Sequence, residues 1–282
     1  MSDRKRWPGA LLVAACLAVL ATPLAAQSWR TMNVARRIDG ERTVDVRVRY
    51  GAGRLHVQPG PRGSLYRMDL RYDEEAFDPV SEFDGRRLTV GVDSRNGKMR
   101  VRKGDSGEMT LELTQEVPMS LDLEFGAVRA DVDLGGLRLT DLELSTGASE
   151  SRIDVSAPNP EVLSSARLQV GAADFAARRL GNLNVEQLSI DAGIGAVMLD
   201  FSGDLRRDVE VSVEMGLGSL ELRFPEGVGV KLVKKAFLAS LDSEGLIKRG
   251  DAYYSPDWDD AEVRISVRVE AAFGAIKVVW LN

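Results

Sequence analysis

Residues 267–282 read VRVEAAFGAIKVVWLN, and this stretch decides the fold. Apolar and polar residues alternate on both sides of Phe-Gly-Ala at 273–275, which is typical of a β-strand with one buried face. Similar phrases occur four times earlier, as VRVRYGAGRLHV (46–57), LDLEFGAVRADV (121–132), LSIDAGIGAVMLDF (188–201) and VSVEMGLGSLELRF (211–224). A strand phrase that recurs in this way predicts a repeat fold, in which one structural unit is stacked several times.

A glycine stands at the centre of each phrase and marks a corner of the repeat. We align the corner glycines as Gly51, Gly126, Gly147, Gly171, Gly195, Gly218 and Gly274, with Gly245 as a further candidate. From the second of these onwards they recur every 21 to 29 residues, which is about one solenoid coil. Stacked coils lie about 4.8 Å apart, and glycine suits a corner where backbones come so close. We therefore predict an all-β fold, a single-stranded β-solenoid whose corner glycines form one column.

The sequence divides into three regions on this interpretation. Residues 1–26 are expected to form a signal peptide, residues 27–120 an irregular N-terminal β cap, and residues 121–282 the solenoid repeats. Hairpins are expected in the cap region, because turn sequences occur at Gly85 and at Asn96-Gly97. A cap would protect the end of a solenoid, where an outer strand otherwise leaves an unpaired edge.

The first 26 residues have the pattern of a targeting segment. A basic start is followed by the apolar run ALLVAACLAVLA (10–21) and by small residues, and we expect cleavage after Ala26. The run is shorter than the roughly 20 residues that cross a bilayer, and no later run approaches that length. A lipid anchor at Cys16 is the alternative, since LVAAC also resembles a lipoprotein signal. Either form would act in the periplasm or at the cell surface, without a transmembrane segment in the mature chain.

Charge and composition exclude several classes of function. The formal net charge is −6, so nucleic acid is not an expected partner. His56 is the only histidine, so a metal site with several imidazoles is excluded. Because it alternates with Leu55 and Val57, we interpret it as a solvated or structural histidine and expect no histidine-based catalytic triad. We expect no cofactor, no bound metal and no catalytic residue.

The acidic, aromatic stretch RGDAYYSPDWDDAEV (249–263) is the best candidate for a binding loop. Exposed aromatic rings beside carboxylates are common at contacts with glycans and proteins. The carboxylates of such a loop could also bind a calcium ion, but their spacing is not that of an EF-hand. A solvated loop is the simpler interpretation. The candidate binding residues are Tyr253, Tyr254, Asp257, Trp258, Asp259 and Asp260.

The phrases FGAVRADV, GIGAVMLDF, GLGSLELRFPEGVGVKL and FGAIKVV, with LDSEGLIKR, carry a family resemblance over about residues 40–282. The chain resembles the toast-rack and adhesin-like families of bacterial extracytoplasmic β-solenoids. Their relatives include the C-terminal domain of the accessory protein of the Lia-type response to cell-wall antibiotics. The resemblance implies a fold, a compartment and an association with the cell envelope.

These observations predict a non-enzymatic module of the bacterial envelope that serves in adhesion, as a scaffold or in envelope stress. Its partner would be an envelope protein or a glycan. Two alternatives stay open. One is a glycan-active enzyme on a β-helix, with carboxylates converging in a cleft. The other is a sensing accessory that binds one specific envelope protein.

Overall fold

The computed structural model describes residues 28–95 and 107–281, except for the side chains of residues 236 and 237. This part of the chain is all-β, as predicted, and two single-turn 3-10 helices are its only helices, at Leu180–Leu183 and Pro256–Asp259. The expected signal peptide, Cys16 and the Asn96-Gly97 turn lie outside the described residues. The strands are β1 (Trp29–Arg37), β2 (Val44–Pro59), β3 (Ser64–Asp73), β4 (Phe77–Phe83), β5 (Arg87–Ser94), β6 (Glu108–Leu113), β7 (Met119–Asp133), β8 (Leu139–Thr146), β9 (Glu150–Asp154), β10 (Leu163–Arg178), β11 (Val185–Asp200), β12 (Val209–Pro225), β13 (Gly229–Asp242), β14 (Ile247–Arg249), β15 (Ala252–Tyr254) and β16 (Arg264–Leu281).

Long parallel strands form the body of the sheet. Their spatial order is β2, β7, β10, β11, β12, β16 and β13, and β8 with β9 fills the position between β7 and β10. We call each position in this order a level, so that the body has eight levels. Equivalent residues of neighbouring levels lie side by side, as Leu188, Val211 and Val267 do.

The chain does not fill the last levels in sequence order. After β12 it forms β13 two levels further out, turns back through β14 and β15, and then enters the gap between β12 and β13 as β16. The strand that contains Gly274 therefore lies between β12 and β13. Gly245, our further candidate for a corner, lies between β13 and β14 with φ of +79°, beside the ring of Trp280. It is not a corner of the repeat.

Both halves of each long strand contribute to one hydrophobic core. In β11, Leu188 and Ile190 are buried before the corner, and Val197 and Leu199 are buried after it. Each such side chain stabilises the fold by about 1.5–3 kcal/mol when it leaves water. Because the same alternation recurs at every level, the buried side chains form one continuous cluster from β2 to β16.

Buried asparagines, which the strand pattern does not predict, stabilise the connections between levels. The Asn182 amide donates to the backbone oxygen of Val155 (2.8 Å) and accepts from the amide of Asp204 (2.7 Å). The Asn159 side chain likewise donates to backbone oxygens of two different levels, those of Leu139 (3.0 Å) and Leu183 (3.2 Å). Since buried backbone groups need partners, these side chains satisfy groups that the strand ladder leaves open.

The N-terminal region combines antiparallel and parallel pairing. β1, β3 and β6 pair antiparallel, and β4 and β5 form a hairpin whose turn contains Gly85 with φ of +93°. In contrast, β2 has the bent form of the later strands and pairs with β7 in parallel. The domain boundary at residue 120 stays a prediction.

The corner glycines form two columns rather than the single column that we predicted. Gly147 and Gly171 are stacked with Gly193 and Gly216 on the following levels, and Gly51 and Gly126 precede them in register. Gly195, Gly218 and Gly274 form a second column, two residues later on each strand, with φ between +143° and +145°. The repeat unit therefore contains two small corner positions, and the glycines that we aligned as one corner belong to both.

Candidate functional site

An open groove runs along the first glycine column. Its N-terminal part has a volume of about 830 Å³ and its floor contains Gly51, Gly126, Gly147 and Gly171. Its C-terminal part has the same volume and continues over Gly193, Gly216 and Ala272. The two parts meet at Asp191, which lines both. The floor is open because seven successive levels carry a glycine or an alanine at this position, so that no long side chain fills it.

Polar side chains line one border of the groove, which we call the polar row. One residue from each level contributes, two positions before the floor residue, and each is a register partner of the next. The row consists of Arg49, Glu124, Ser145, Gln169, Asp191, Glu214, Glu270 and Lys235. At the N-terminal end Arg49 faces Glu124 (3.6 Å), and the Ser145 hydroxyl donates to the Gln169 side-chain oxygen (3.0 Å).

Three adjacent carboxylates make the C-terminal half of the polar row acidic. Glu270 has an ion-pair partner in Lys235 (3.3 Å). Within residues 28–95 and 107–281, neither Asp191 nor Glu214 has an ion pair or a side-chain hydrogen bond. This half of the row therefore carries negative charge that no cation of the described residues compensates. Like charges on directly paired strand positions also repel each other.

An apolar row follows the floor directly on the last four levels, and we call it the apolar ridge. Its members are register partners on β11, β12, β16 and β13. They remain unusually accessible for large apolar side chains: Ile194 is 59% exposed, Leu217 49%, Phe273 47% and Leu238 62%. On the earlier levels the corresponding residues are alanines, such as Ala52, Ala127 and Ala172.

The ridge is not predictable from the alternation of apolar and polar residues alone. In the phrase Gly193-Ile194-Gly195 the strict alternation of the strand breaks at the bend, and the isoleucine turns outward between two glycines. The sequence feature that indicates the ridge is a large apolar residue between two glycines, which occurs at 193–195 and again at 216–218. A contiguous exposed apolar strip commonly marks an interaction site.

The predicted binding loop lies away from the groove, and none of its residues lines either part. Tyr254 and Trp258 pack edge to face with ring centroids 5.4 Å apart. Basic side chains cover these rings: the Arg249 guanidinium lies 5.5 Å from the Tyr254 ring and that of Arg264 lies 5.8 Å from the Trp258 ring. The loop is thus a compact packed unit with half-buried aromatic rings.

The same loop covers part of the outer edge of the sheet. Buried Ser255 accepts a hydrogen bond from the backbone amide of Val230 through its hydroxyl (2.9 Å). Its own amide donates to the Val230 oxygen (2.8 Å), and β15 pairs antiparallel with the first residues of β13. Asp259 forms an ion pair with Arg249 (2.9 Å), whereas Asp257 and Asp260 are exposed. In the structure this segment acts as an edge cap.

Tyr50 is the buried ionisable group of the groove. Its phenol has no hydrogen-bond partner among the described residues, and an added Cβ on Gly53 would lie 2.8 Å from its oxygen. Burial is the main cause of a raised pKa of Tyr50, and the nearby Glu108 raises the pKa further. The phenol therefore stays neutral at physiological pH.

The described residues contain no cluster of three or more side chains that could hold a metal ion. His56 is partly exposed on β2, with carboxylate oxygens of Glu108 and Asp131 at 3.9 and 4.0 Å. Within residues 28–95 and 107–281, no helix has the length and apolar character needed to cross a membrane.

Comparison with known proteins identifies the family. The model of the N-terminal domain of toast_rack, DUF2154, matches residues 26–176 and 157–223, which together span well over half of the chain. This chain belongs to the toast_rack family. No curated protein matches it.

Several solved structures are similar to this toast_rack protein. A "putative cell adhesion protein" from Clostridium sporogenes is 18% identical, with a TM-score of 0.50 over 90% of this chain and 100% of that one. A "putative adhesin" from Bacteroides fragilis is 12% identical, with a TM-score of 0.36 over 90% and 98% of the two chains. A "putative lipid binding protein" from Parabacteroides distasonis is 8% identical, with the same TM-score over 88% and 96%. Only the first likeness is close enough to support the fold.

Proposed function

We propose that this toast_rack protein is a non-enzymatic, extracytoplasmic module of the bacterial envelope that binds an extended ligand along its groove. One observation carries the proposal: a glycine floor runs across consecutive levels beside a polar row. Eight levels spaced about 4.8 Å apart make the polar row about 34 Å long. That length suits a glycan chain or an extended protein segment better than a compact small molecule.

The proposal includes a β-solenoid architecture. Its support is the parallel register of the levels and the burial of alternating residues on both sides of each corner. In a solenoid the outward residues of successive coils form straight rows, so a long binding surface follows from the repeat itself. The polar row and the apolar ridge are two such rows.

The extracytoplasmic location is supported by the sequence. The basic and apolar pattern of residues 1–26 is that of a signal peptide, and the family resemblance implies the cell envelope. Adhesion is the role in the name of the similar Clostridium sporogenes protein, and it is one way in which such a module would act.

The proposal is tested by filling the groove. In the double variant Ser145→Trp/Gln169→Trp, two indole rings occupy the polar row above the glycine floor. We expect its retention on immobilised peptidoglycan, surface polysaccharide and envelope membranes to fall at least tenfold. The matched control is Ser164→Trp, an exposed serine of β10 that lines neither part of the groove. Retention of the filled variant at the level of the control would refute the proposal.

The enzymatic alternative has its own test. A glycan-active enzyme would release reducing ends from a polysaccharide panel, and Asp191→Asn or Glu214→Gln would abolish that release. We expect no turnover by the wild-type chain. Turnover that depends on either carboxylate would make the groove an active site.

A further inference from the structure

The C-terminal half of the groove has a different chemistry from the N-terminal half. There the acidic part of the polar row runs beside the apolar ridge over the three levels of β11, β12 and β16, separated from it only by the small floor residues Gly193, Gly216 and Ala272. On the fourth level of the ridge, β13, the polar row holds Lys235. On the earlier levels the ridge position holds alanine and the polar row is mixed in charge. Four of the six large apolar side chains that are clearly exposed among the described residues belong to the ridge.

This combination is costly unless something covers it. Exposed apolar side chains in a contiguous strip favour association, and adjacent carboxylates repel each other. A partner with an apolar stripe beside cationic side chains would relieve both costs at once. Anionic lipid headgroups would be repelled by the uncompensated charge of Asp191 and Glu214. A second copy of the chain would be disfavoured in the same way, because it would bring an identical negative row against this one.

The spacing of the ridge fits a helix. Three steps between levels cover about 14 Å, and three turns of an α-helix rise about 16 Å. A helix that lies across the strands would place one apolar residue per turn near each ridge residue, as in other helix-in-groove complexes. The small floor residues leave room for its backbone to approach.

We infer that the C-terminal half of the groove, lined by Asp191, Glu214 and Glu270, and the apolar ridge beside it together dock a cationic amphipathic helix of a partner protein. The inference rests on the proposed function, because it names the partner class for one half of the same groove. Binding requires both rows: the ridge supplies the apolar contact, and the carboxylates select lysine or arginine beside it.

The first experiment uses a synthetic helical peptide of about 18 leucine and lysine residues, with leucines at i, i+3, i+4 and i+7. Titration calorimetry with the wild-type chain is expected to show saturable binding that weakens several-fold as salt rises. A peptide with glutamate in place of lysine, and one with the same composition in scrambled order, should bind at least tenfold more weakly. Equal binding of all three peptides would overturn the inference.

Variants of the chain locate the site. Leu217→Ser/Phe273→Ser should weaken binding of the leucine–lysine peptide at least tenfold, while Val162→Ser and Ile247→Ser, which remove equally exposed apolar side chains elsewhere, should not. Asp191→Asn/Glu214→Gln should weaken it and flatten its salt dependence. Glu143→Gln, which removes an exposed carboxylate of β8 outside the polar row, should do neither. A thermal midpoint for each variant excludes unfolding as the cause.

Two other results would assign the ridge differently and overturn the inference. One is a concentration-dependent dimer that Leu217→Ser dissociates, which would make a second copy the occupant. The other is binding to neutral phosphatidylcholine vesicles that depends on the ridge. The peptide measurements are independent of the test with the filled N-terminal groove. If the wild-type chain is retained on the envelope materials but does not bind the peptide, only the inference of a docked helix is refuted. If retention is unchanged after Ser145→Trp/Gln169→Trp, the proposed function is refuted.

Discussion

Gly195 lies directly opposite Gly218 on neighbouring parallel strands, and both residues have φ of +145°. An added Cβ on Gly218 would overlap the carbonyl oxygen of Gly195. At Gly218 the φ angle is positive, which L side chains rarely adopt, and the backbone is in close contact with that of the neighbouring level. Both conditions restrict the position to glycine, and both recur at Gly274.

Gly218→Ala should therefore destabilise the fold by about 3 kcal/mol or more, from backbone strain and steric overlap together. Gly147→Ala is the matched control, because φ there is not positive and an added Cβ would lie 3.4 Å from the nearest backbone atom. Its cost should stay below about 1 kcal/mol. Urea unfolding of both variants measures the difference, and equal losses would show that the second column is not constrained.

Asn182→Ala should destabilise the fold by about 2 kcal/mol or more. The substitution leaves the oxygen of buried Val155 and the amide of Asp204 without their side-chain partner. A buried polar group that loses its partner costs about 1–3 kcal/mol. Asn33→Ala, at an exposed position of β1, should cost far less. Chemical denaturation compares the two variants. A cost for Asn182→Ala no larger than that for Asn33→Ala would remove the asparagine from the structural account.

Trp258→Ala should loosen the edge cap without affecting ligand binding in the groove. The ring packs on Tyr254 and beneath Arg264, so its loss should lower the thermal midpoint and promote self-association along the exposed edge of β13. Light scattering and envelope retention separate the two effects. If retention falls while stability and association stay unchanged, the loop is the binding site, as the sequence suggested.

The mature chain should begin at Gln27. Mass spectrometry of the protein from a bacterial envelope fraction should give the mass expected for cleavage after Ala26. A chain that begins with a lipid-modified Cys16 would establish the anchored form instead. A Cys16→Ser variant distinguishes the two, because only the anchored form would lose its membrane association.

The strands and their corners were predictable from local patterns. Alternation such as that of Leu188, Ile190 and Val197 depends only on which face of a strand is buried, so the all-β fold followed from the sequence. The sequence did not predict which corner glycines are neighbours in space. Gly218 and Gly274 are 56 residues apart and yet neighbours, because β16 fills a level that the chain first passes over. No local pattern encodes that return.

The candidate site was less predictable than the fold. Ile194 and Leu217 look like core residues in sequence, and they become a surface ridge only because the strand bends between two glycines. The acidity of the polar row depends on register, since Asp191, Glu214 and Glu270 are distant in sequence. The binding role of the aromatic loop stays a prediction. In the structure arginine and lysine side chains lie over its rings, an arrangement that its sequence alone does not reveal.

The order of the last levels builds the ridge, and pairwise cysteine crosslinking tests it most directly. In a Cys16→Ser background, Leu217→Cys with Phe273→Cys places two thiols on adjacent levels, whereas Leu217→Cys with Leu238→Cys places them two levels apart. Disulfides need Cα atoms within about 7 Å, and adjacent levels lie about 4.8 Å apart. We predict rapid oxidation of the 217–273 pair and none of the 217–238 pair. The reverse result would contradict the stacking order and, with it, the ridge and the groove.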